Sequence, residues 1–286
     1  MNSDDVFTRK FAAFIKEEVG IIYEEDNFFQ LKKRLLDIAQ ERGLKSIKEL
    51  SESTDLAADK EFQDMILDRS TNNETMFFRD RRVFSELIKQ LAERHLESSR
   101  HRRPFKVWSA ACSTGQEVYS LAYTFETLKK TNPTFNFEIV ATDYSVSAIE
   151  KAKSGRYHQY EVQRGLTSAE LVELLDRPES EGTNTPTDWT VKPKFKRNVK
   201  FQQINLIKDW SFNQKFDLVL CRNVLIYQNV ESKLNILRKI HQVMEPDSAI
   251  ILGGTENSYG MDGLFKKEIK DRLIYFLRME KEAKSA

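Results

Sequence analysis

The stretch Ser109–Tyr123, SAACSTGQEVYSLAY, decides the fold. An apolar run from Phe105 to Trp108 leads into small residues, a lone glycine at Gly115, and then an amphipathic pattern. Strand, tight turn and helix in that order open a ligand-binding α/β unit. A dinucleotide fingerprint places three glycines in this turn so that the backbone can approach a pyrophosphate. Here there is one. The turn predicts a ligand that lies against the backbone but brings no phosphate.

The alternation continues downstream. Residues 137–143 (FEIVATD), 199–207 (VKFQQINLI), 216–221 (FDLVLC) and 249–254 (AIILGG) read as strands, and 272–279 (RLIYFLRM) as a final edge strand. Helical patterns fall at 115–130, 145–153 and 229–244. Strands alternating with helices predict a parallel sheet covered on both faces. Its ligand belongs outside the carboxyl ends of the strands. Residues 156–198 interrupt the pattern with a short helical segment, Ala169–Leu175, and a loop rich in Pro, Gly, Ser and Thr. Trp189, Val191 and Phe195 then alternate as a small strand would, which predicts an inserted β subdomain.

Upstream the periodicity is helical throughout. Phe7, Phe11, Phe14, Ile15 and Val19 share one face, as do Leu31, Leu35, Leu36 and Ile38, and then Phe62, Met65 and Ile66. Gly20 and Gly43 stand where helices would stop. The expected fold class is α/β: a small all-helical domain (1–70), then a Rossmann-like domain (71–286). The latter is entered through a linker (71–80) and holds the 156–198 insert.

Composition narrows the classes. At 286 residues, 31% charged and 40% hydrophobic, the chain has the balance of a soluble globular protein. A formal net charge of +1 gives no global attraction to nucleic acid or to a membrane. Neither a signal peptide nor a run of about 18 apolar residues is present. Cys112 and Cys221 make no disulfide framework, so a reduced, cytoplasmic protein is expected, with both thiols packed as small buried residues.

Asp143 ends the second strand beside the glycine-poor turn, where an acid can accept both hydroxyls of a ribose. Glu117, just inside the following helix, is a second acid in the same corner. Two carboxylates repel a pyrophosphate and suit a cation. S-adenosylmethionine combines a ribose with a sulfonium and has no phosphate. A purely structural role for Asp143, capping the helix 145–153, accounts for it equally well at this point.

Two further stretches bear on the choice. TNNETMFFRD (71–80) joins the helical unit to the sheet domain, and RNVLIY (222–227) follows directly on the strand FDLVLC. Phe77, Phe78, Leu225 and Ile226 are read as core. Arg79, Arg222, Asn223 and Tyr227 stand at a cleft and need polar partners. Together these stretches resemble the CheR family, the chemotaxis-receptor methyltransferases. The family's NET-x-FFRD, SAACSTGEE-type, ATD, N-L and CRNV-x-IY stretches correspond to Asn73–Asp80, Ser109–Glu117, Ala141–Asp143, Asn205–Leu206 and Cys221–Tyr227, in the same order. The match runs over roughly residues 1–280 and is weakest in the first helices and the insert. It departs at Gln116 and Val118, where the family commonly has Glu and Pro.

The resemblance implies an S-adenosyl-L-methionine-dependent protein-glutamate O-methyltransferase that releases S-adenosyl-L-homocysteine and forms glutamyl methyl esters on chemotaxis receptors. It implies that Asn73, Thr75, Arg79, Glu117, Asp143, Asn205, Leu206, Arg222 and Asn223 line the cofactor site, with Asp143 on the ribose and Asn205–Leu206 beside the adenine. Arg79 and Tyr227 match active-site positions. The carboxyl of a glutamate has a pKa of about 4.3 and is already ionised at neutral pH, so no general base is needed. That accounts for the lack of a metal-ligand spacing or a nucleophile elbow; the four histidines, His95, His101, His158 and His241, are scattered.

QLKKRLLDIAQERGL (30–44) clusters Lys32, Lys33 and Arg34. Taken alone this is a solvated helix face. The resemblance implies instead a basic helix that engages the acidic cytoplasmic methylation region of the receptor. It also places the insert where some members dock a receptor tail. A monomer is expected, without nucleic acid and without membrane insertion. Two rivals remain at this stage. A methyltransferase of nucleic acid would show a D/N-P-P-Y/F stretch where RNVLIY stands; a non-catalytic cofactor-binding sensor or scaffold would bind without transfer.

Overall fold

The computed structural model describes residues 3–24, 27–53, 55–56, 58–98, 102–177, 188–256 and 260–280. His101 and most of the Pro/Ser/Thr-rich loop of the insert (178–187) lie outside them. Four helices come first: α1 Ser3–Val19, α2 Phe28–Glu41, α3 Ile47–Ser53 and α4 Lys60–Ser70. They enclose their own core of Phe11, Ile15, Leu31, Leu35, Ile38, Phe62 and Ile66, from the apolar faces read in the sequence, joined by Leu50. Gly20 and Gly43 follow α1 and α2 with φ of 73°, a left-handed stop that costs glycine little. The short α3 was not visible in the pattern, since its seven residues offer only Ile47 and Leu50 to the core.

After the linker, a π-helical turn (Val83–Ile88) runs into α5, Lys89–Glu97. The sheet domain then proceeds β1 Phe105–Ala110, α6 Gln116–Thr131, β2 Phe137–Asp143, α7 Val146–Ser154. The insert holds β3 Arg156–Tyr157, α8 Gln159–Gln163, α9 Ser168–Leu174, β4 Leu175–Asp176, β5 Trp189–Val191 and α10 Pro193–Lys196. The domain closes with β6 Val199–Gln203, β7 Phe216–Cys221, α11 Val230–Gln242, β8 Met244–Leu252, β9 Phe265–Lys270 and β10 Leu273–Arg278. Seven strands form one sheet in the order β6-β2-β1-β7-β8-β10-β9, and β3-β5-β4 form a small antiparallel sheet. The five strands from β6 to β8 are parallel; β10 and β9 are antiparallel.

Alternating side chains explain the layers. Phe105 and Val107 of β1, Ile139 and Ala141 of β2, and Leu218 and Leu220 of β7 face α6, whose Val118, Leu121, Ala122 and Phe125 cover them. Trp108, Val140 and Val219 face the other way, against Ile236, Leu237 and Ile240 of α11. Trp108 packs edge-on to Trp210 and Phe212 at 5.0 and 4.9 Å and donates its indole N–H to Thr142 Oγ1. Strands buried on both faces read as continuous apolar runs, which is why FEIVATD and FDLVLC matched their strands to the residue.

Three expectations are corrected. The segment 272–279 is not the edge: β10 lies between β8 and β9, and β9 (FKKEIK) is the edge strand. Its three lysines and Glu268 are the signature of an exposed edge, which a search for apolar runs passes over. Phe195 belongs to α10, not to a strand; Trp189 and Val191 are the inward residues of β5. The strand at 199 ends at Gln203, because Asn205 Oδ1 accepts the N–H of Ile207 at 3.1 Å and turns the chain. Among the described residues no helix is long and apolar enough to cross a membrane.

Candidate active site at the switch point of the sheet

The chain leaves β1 and turns back to β2 and β6 on one side; β7 and β8 lie on the other. A cavity opens at this reversal, where α/β sheets bind their ligands. It collects residues from along the chain: Val19 and Ile21, the linker, Ala111–Ser113 with Glu117, Asp143 and Tyr144, Ile204–Ile207, Arg222–Val224, and Tyr227 with Gln228. All nine residues expected around the cofactor line it, as does Tyr227. None of the three described histidines does. His95 Nε2 lies 3.0 Å from Arg103 O and His241 Nε2 lies 2.8 Å from Met279 O, both well away from it.

The glycine-poor turn is left-handed at Ala111 (φ 59°), Ser113 (φ 50°) and Gly115 (φ 94°). Only the last must be glycine: a Cβ there would lie 2.8 Å from Ala152 Cβ and 3.0 Å from Tyr157 Oη. The amides of the turn are used internally. Cys112 N–H donates to Thr142 O at 2.9 Å and Gly115 N–H to Cys112 O at 3.1 Å. Ser113 N–H donates to Asp143 Oδ2 at 2.7 Å. The Asp143 carboxylate thus takes the Ser113 amide, which a phosphate-binding turn would leave for its ligand.

Asp143 is 7% exposed, and its other oxygen, Oδ1, accepts Ser145 N–H at 2.9 Å. Burial pushes its pKa above the ordinary 3.8 despite these bonds, which pull it down. The helix-cap alternative fails: Ser145, not Asp143, caps α7, its hydroxyl accepting Ala148 N–H at 3.0 Å.

Glu117 is engaged differently from the expectation. Its Oε1 accepts Ser109 Oγ at 2.8 Å and its Oε2 accepts Arg222 Nη1 at 2.9 Å. Arg222, 6% exposed, also donates through Nη2 to Arg79 O at 3.0 Å and to Asp80 Oδ2. Most of the Glu117 charge is therefore offset, and Asp143 is the acid left facing the cavity. Asn205 Nδ2 donates to Glu18 O at 2.7 Å, tying the lip after β6 to α1. Asn73 O accepts Ser113 Oγ at 2.8 Å, and Tyr227 Oη accepts Asn72 Nδ2 at 2.8 Å. Arg79 is half-buried, and its guanidinium forms no ion pair or hydrogen bond with a described residue.

Two buried polar atoms of the lining, Arg222 Nε and Gln228 Oε1, have no hydrogen-bond partner among the described residues. Gln228 Oε1 lies against Gly20, where a Cβ would stand 2.0 Å from it. With the apolar Val19, Ile21, Ile204 and Leu206 on one side and Asp143 and Ser113 on the other, the donor set fits an adenosine bearing no phosphate. The CheR methyltransferase S-adenosylmethionine-binding domain matches residues 73–274. The chain belongs to this CheR family. Among the relatives, chemotaxis protein methyltransferase 1 of Pseudomonas aeruginosa is 34% identical over 249 residues, 86% of this chain and 88% of that protein. A chemotaxis protein methyltransferase of Pseudomonas putida is 31% identical over 264 residues, covering 91% and 94%. One of Vibrio parahaemolyticus is 31% identical over 260 residues, covering 90% and 91%. This CheR protein is an S-adenosylmethionine-dependent methyltransferase of chemotaxis.

Glu256 was not anticipated. Its Oε1 accepts the N–H of Val224, Leu225 and Ile226 at 3.0, 2.7 and 3.2 Å, and its Oε2 those of Asn223 and Gly253 at 2.8 and 2.7 Å. One carboxylate thus holds the whole turn that presents Asn223 (φ 60°) and Tyr227 to the cavity. Gly253 makes room, since a Cβ there would lie 2.6 Å from Asn223 Nδ2. Only the spacing of Glu256 behind an apolar strand hinted at it. Glu256→Ala should lower the unfolding free energy by about 2–3 kcal/mol, read from urea denaturation; an unchanged midpoint would contradict the anchoring role.

Proposed function

We propose that this enzyme methylates glutamate side chains of chemotaxis receptors, forming glutamyl methyl esters and S-adenosyl-L-homocysteine. The observation that carries this reading is Arg79: a guanidinium at the wall of the cavity that Tyr227 also lines, without an ion-pair partner among the described residues. A cation so placed suits an incoming carboxylate. Bound S-adenosyl-L-methionine supplies a methyl group on a positively charged sulfur. Asp143 holds the ribose hydroxyls, Asn205 and Leu206 flank the adenine, and Asn73, Thr75, Arg222 and Asn223 close the remaining walls. Arg79 binds and orients the glutamate, and Tyr227, whose oxygen is occupied by Asn72 Nδ2, keeps its own proton to donate to it. Nothing removes a proton, because the carboxylate arrives ionised. The residues need only exclude water and align the oxygen about 3 Å from its target. Arg79 orients more than it stabilises, since a pair that held the ground-state carboxylate too tightly would slow the attack.

Receptor engagement falls mainly to Lys33. Lys32 is paired with Asp5 at 2.8 Å, and Arg34 donates to Tyr23 Oη and Ser70 O at 2.8 and 2.6 Å, fastening α2 to α4. Of the three basic residues only Lys33 is exposed. Attraction of an acidic receptor helix by this face would weaken with salt.

Radiolabelled S-adenosylmethionine with a receptor cytoplasmic fragment tests the whole reading: base-labile label should appear on the receptor, and Arg79→Ala should abolish it. Binding without transfer would point to a sensor or scaffold instead. Lys33→Glu should raise the apparent KM for receptor several-fold at unchanged cofactor affinity; an unaltered KM would return that helix to a solvated face. Because ribose hydroxyls donate to the ionised Asp143, and burial raises its pKa above 3.8, affinity for S-adenosylhomocysteine should fall as pH drops through that raised value. Calorimetry as the pH is lowered from neutrality should show the fall in the wild type and its loss in Asp143→Asn.

A further inference from the structure

The linker that carries Arg79 is left-handed at Phe78 (φ 49°) and Asp80 (φ 59°), a conformation that non-glycine residues keep only where their surroundings enforce it. Part of the enforcement comes from the sheet domain: Phe78 N–H donates to Ser120 Oγ at 2.9 Å, and Arg222 takes Arg79 O and Asp80. The rest comes from the insert. Gly165, in the turn between α8 and α9 with φ 95°, lies so close to the linker that a Cβ would stand 1.9 Å from Phe77 O. Arg81 reaches across to the same turn. Its guanidinium pairs with both oxygens of Glu170, at 2.5 and 2.9 Å, donates to Gly165 O, and covers the Phe78 ring 4.9 Å from its centroid. Glu170 is itself fixed, its Oε2 accepting Thr167 N–H at 2.8 Å. A fork-to-fork pair of this kind sets direction as well as distance.

The insert also grips the opposite wall. Tyr157 donates its hydroxyl to Thr114 O at 2.6 Å, inside the cofactor turn, and its ring stands edge-on to Phe77 at 5.1 Å. Both segments that carry the site are therefore tied to one small subdomain.

We propose that the insert is a brace for the active site, with Arg81 and Glu170 acting as positioning residues for Arg79. This rests on the assignment of Arg79 to the substrate carboxylate. Since no described side chain holds the Arg79 guanidinium, its place is set by the backbone between Phe77 and Arg81, and a displacement of about 1 Å at such a group lowers turnover by about 100-fold. An ordinary ion pair as exposed as Arg81, whose side chain is 44% accessible, contributes little to stability and nothing to turnover. The two roles therefore separate in kinetics.

The test uses the full chain with S-adenosylmethionine and a receptor cytoplasmic fragment. Arg81→Ala and Glu170→Gln should each lower kcat about tenfold or more, with the dissociation constant for S-adenosylhomocysteine within about twofold of wild type and little change in Tm. Arg81→Lys, which keeps the charge but not the fork, should fall between. Should Arg81→Ala not fold, Glu170→Gln decides. Wild-type kcat in these variants beside an inactive Arg79→Ala overturns the brace alone. A loss of kcat matched by an equal loss of cofactor affinity overturns it too, whereas an active Arg79→Ala overturns the reading beneath it.

Discussion

A buried guanidinium holds the two halves of the site together. Arg222 follows directly on β7, is shielded from water, and is shared between Glu117 of α6 and the linker at Arg79 O and Asp80. A charge withdrawn from water persists only where it is paired and hydrogen-bonded. Parting the linker from the sheet domain would take Arg79 O and Asp80 from Arg222 and leave it Glu117 alone among these partners. That constraint is why residues far apart in sequence, at 79–80, 117 and 222, meet at one point, and why the loop bearing Arg79 can adopt a backbone it would not choose freely.

The cofactor turn answers its own puzzle in the same currency of satisfied polar groups. A phosphate-binding turn leaves its amides pointing outward. In this CheR protein the amides of Cys112, Ser113 and Gly115 are already bonded to Thr142, Asp143 and Cys112. The turn can therefore be built from Ala, Cys and Ser, with one glycine kept where α7 and Tyr157 crowd it.

Much of this was legible in the sequence. The parallel strands, the inserted subdomain and the convergence of Asn73, Arg79, Asp143, Asn205 and Tyr227 followed from alternating periods and from the resemblance carried by ordered motifs. What was hidden was whatever depends on partners. Glu117 and Asp143 look alike as letters, yet one is balanced by Arg222 and the other keeps its charge toward the cavity. Lys32, Lys33 and Arg34 look like one patch, yet two of them face inward to Asp5, Tyr23 and Ser70. Glu256 carries no period at all; its role exists only once five amides converge on it. The edge strand β9 was missed for the opposite reason, because charges that protect an edge erase the apolar signal.

The segment just after α1 remains to be weighed. Val19 and Ile21 form part of the cavity wall, Gln228 Nε2 donates to Val19 O, Ile22 N–H donates to Tyr227 O, and Asn205 Nδ2 donates to Glu18 O. The helical unit is thus stitched to the lips of the pocket on both sides. By reciprocity, whatever free energy an occupant gains from that wall is also free energy with which the occupant secures the helices. Capture of the methyl donor and rigidity of the helical unit are two faces of one equilibrium.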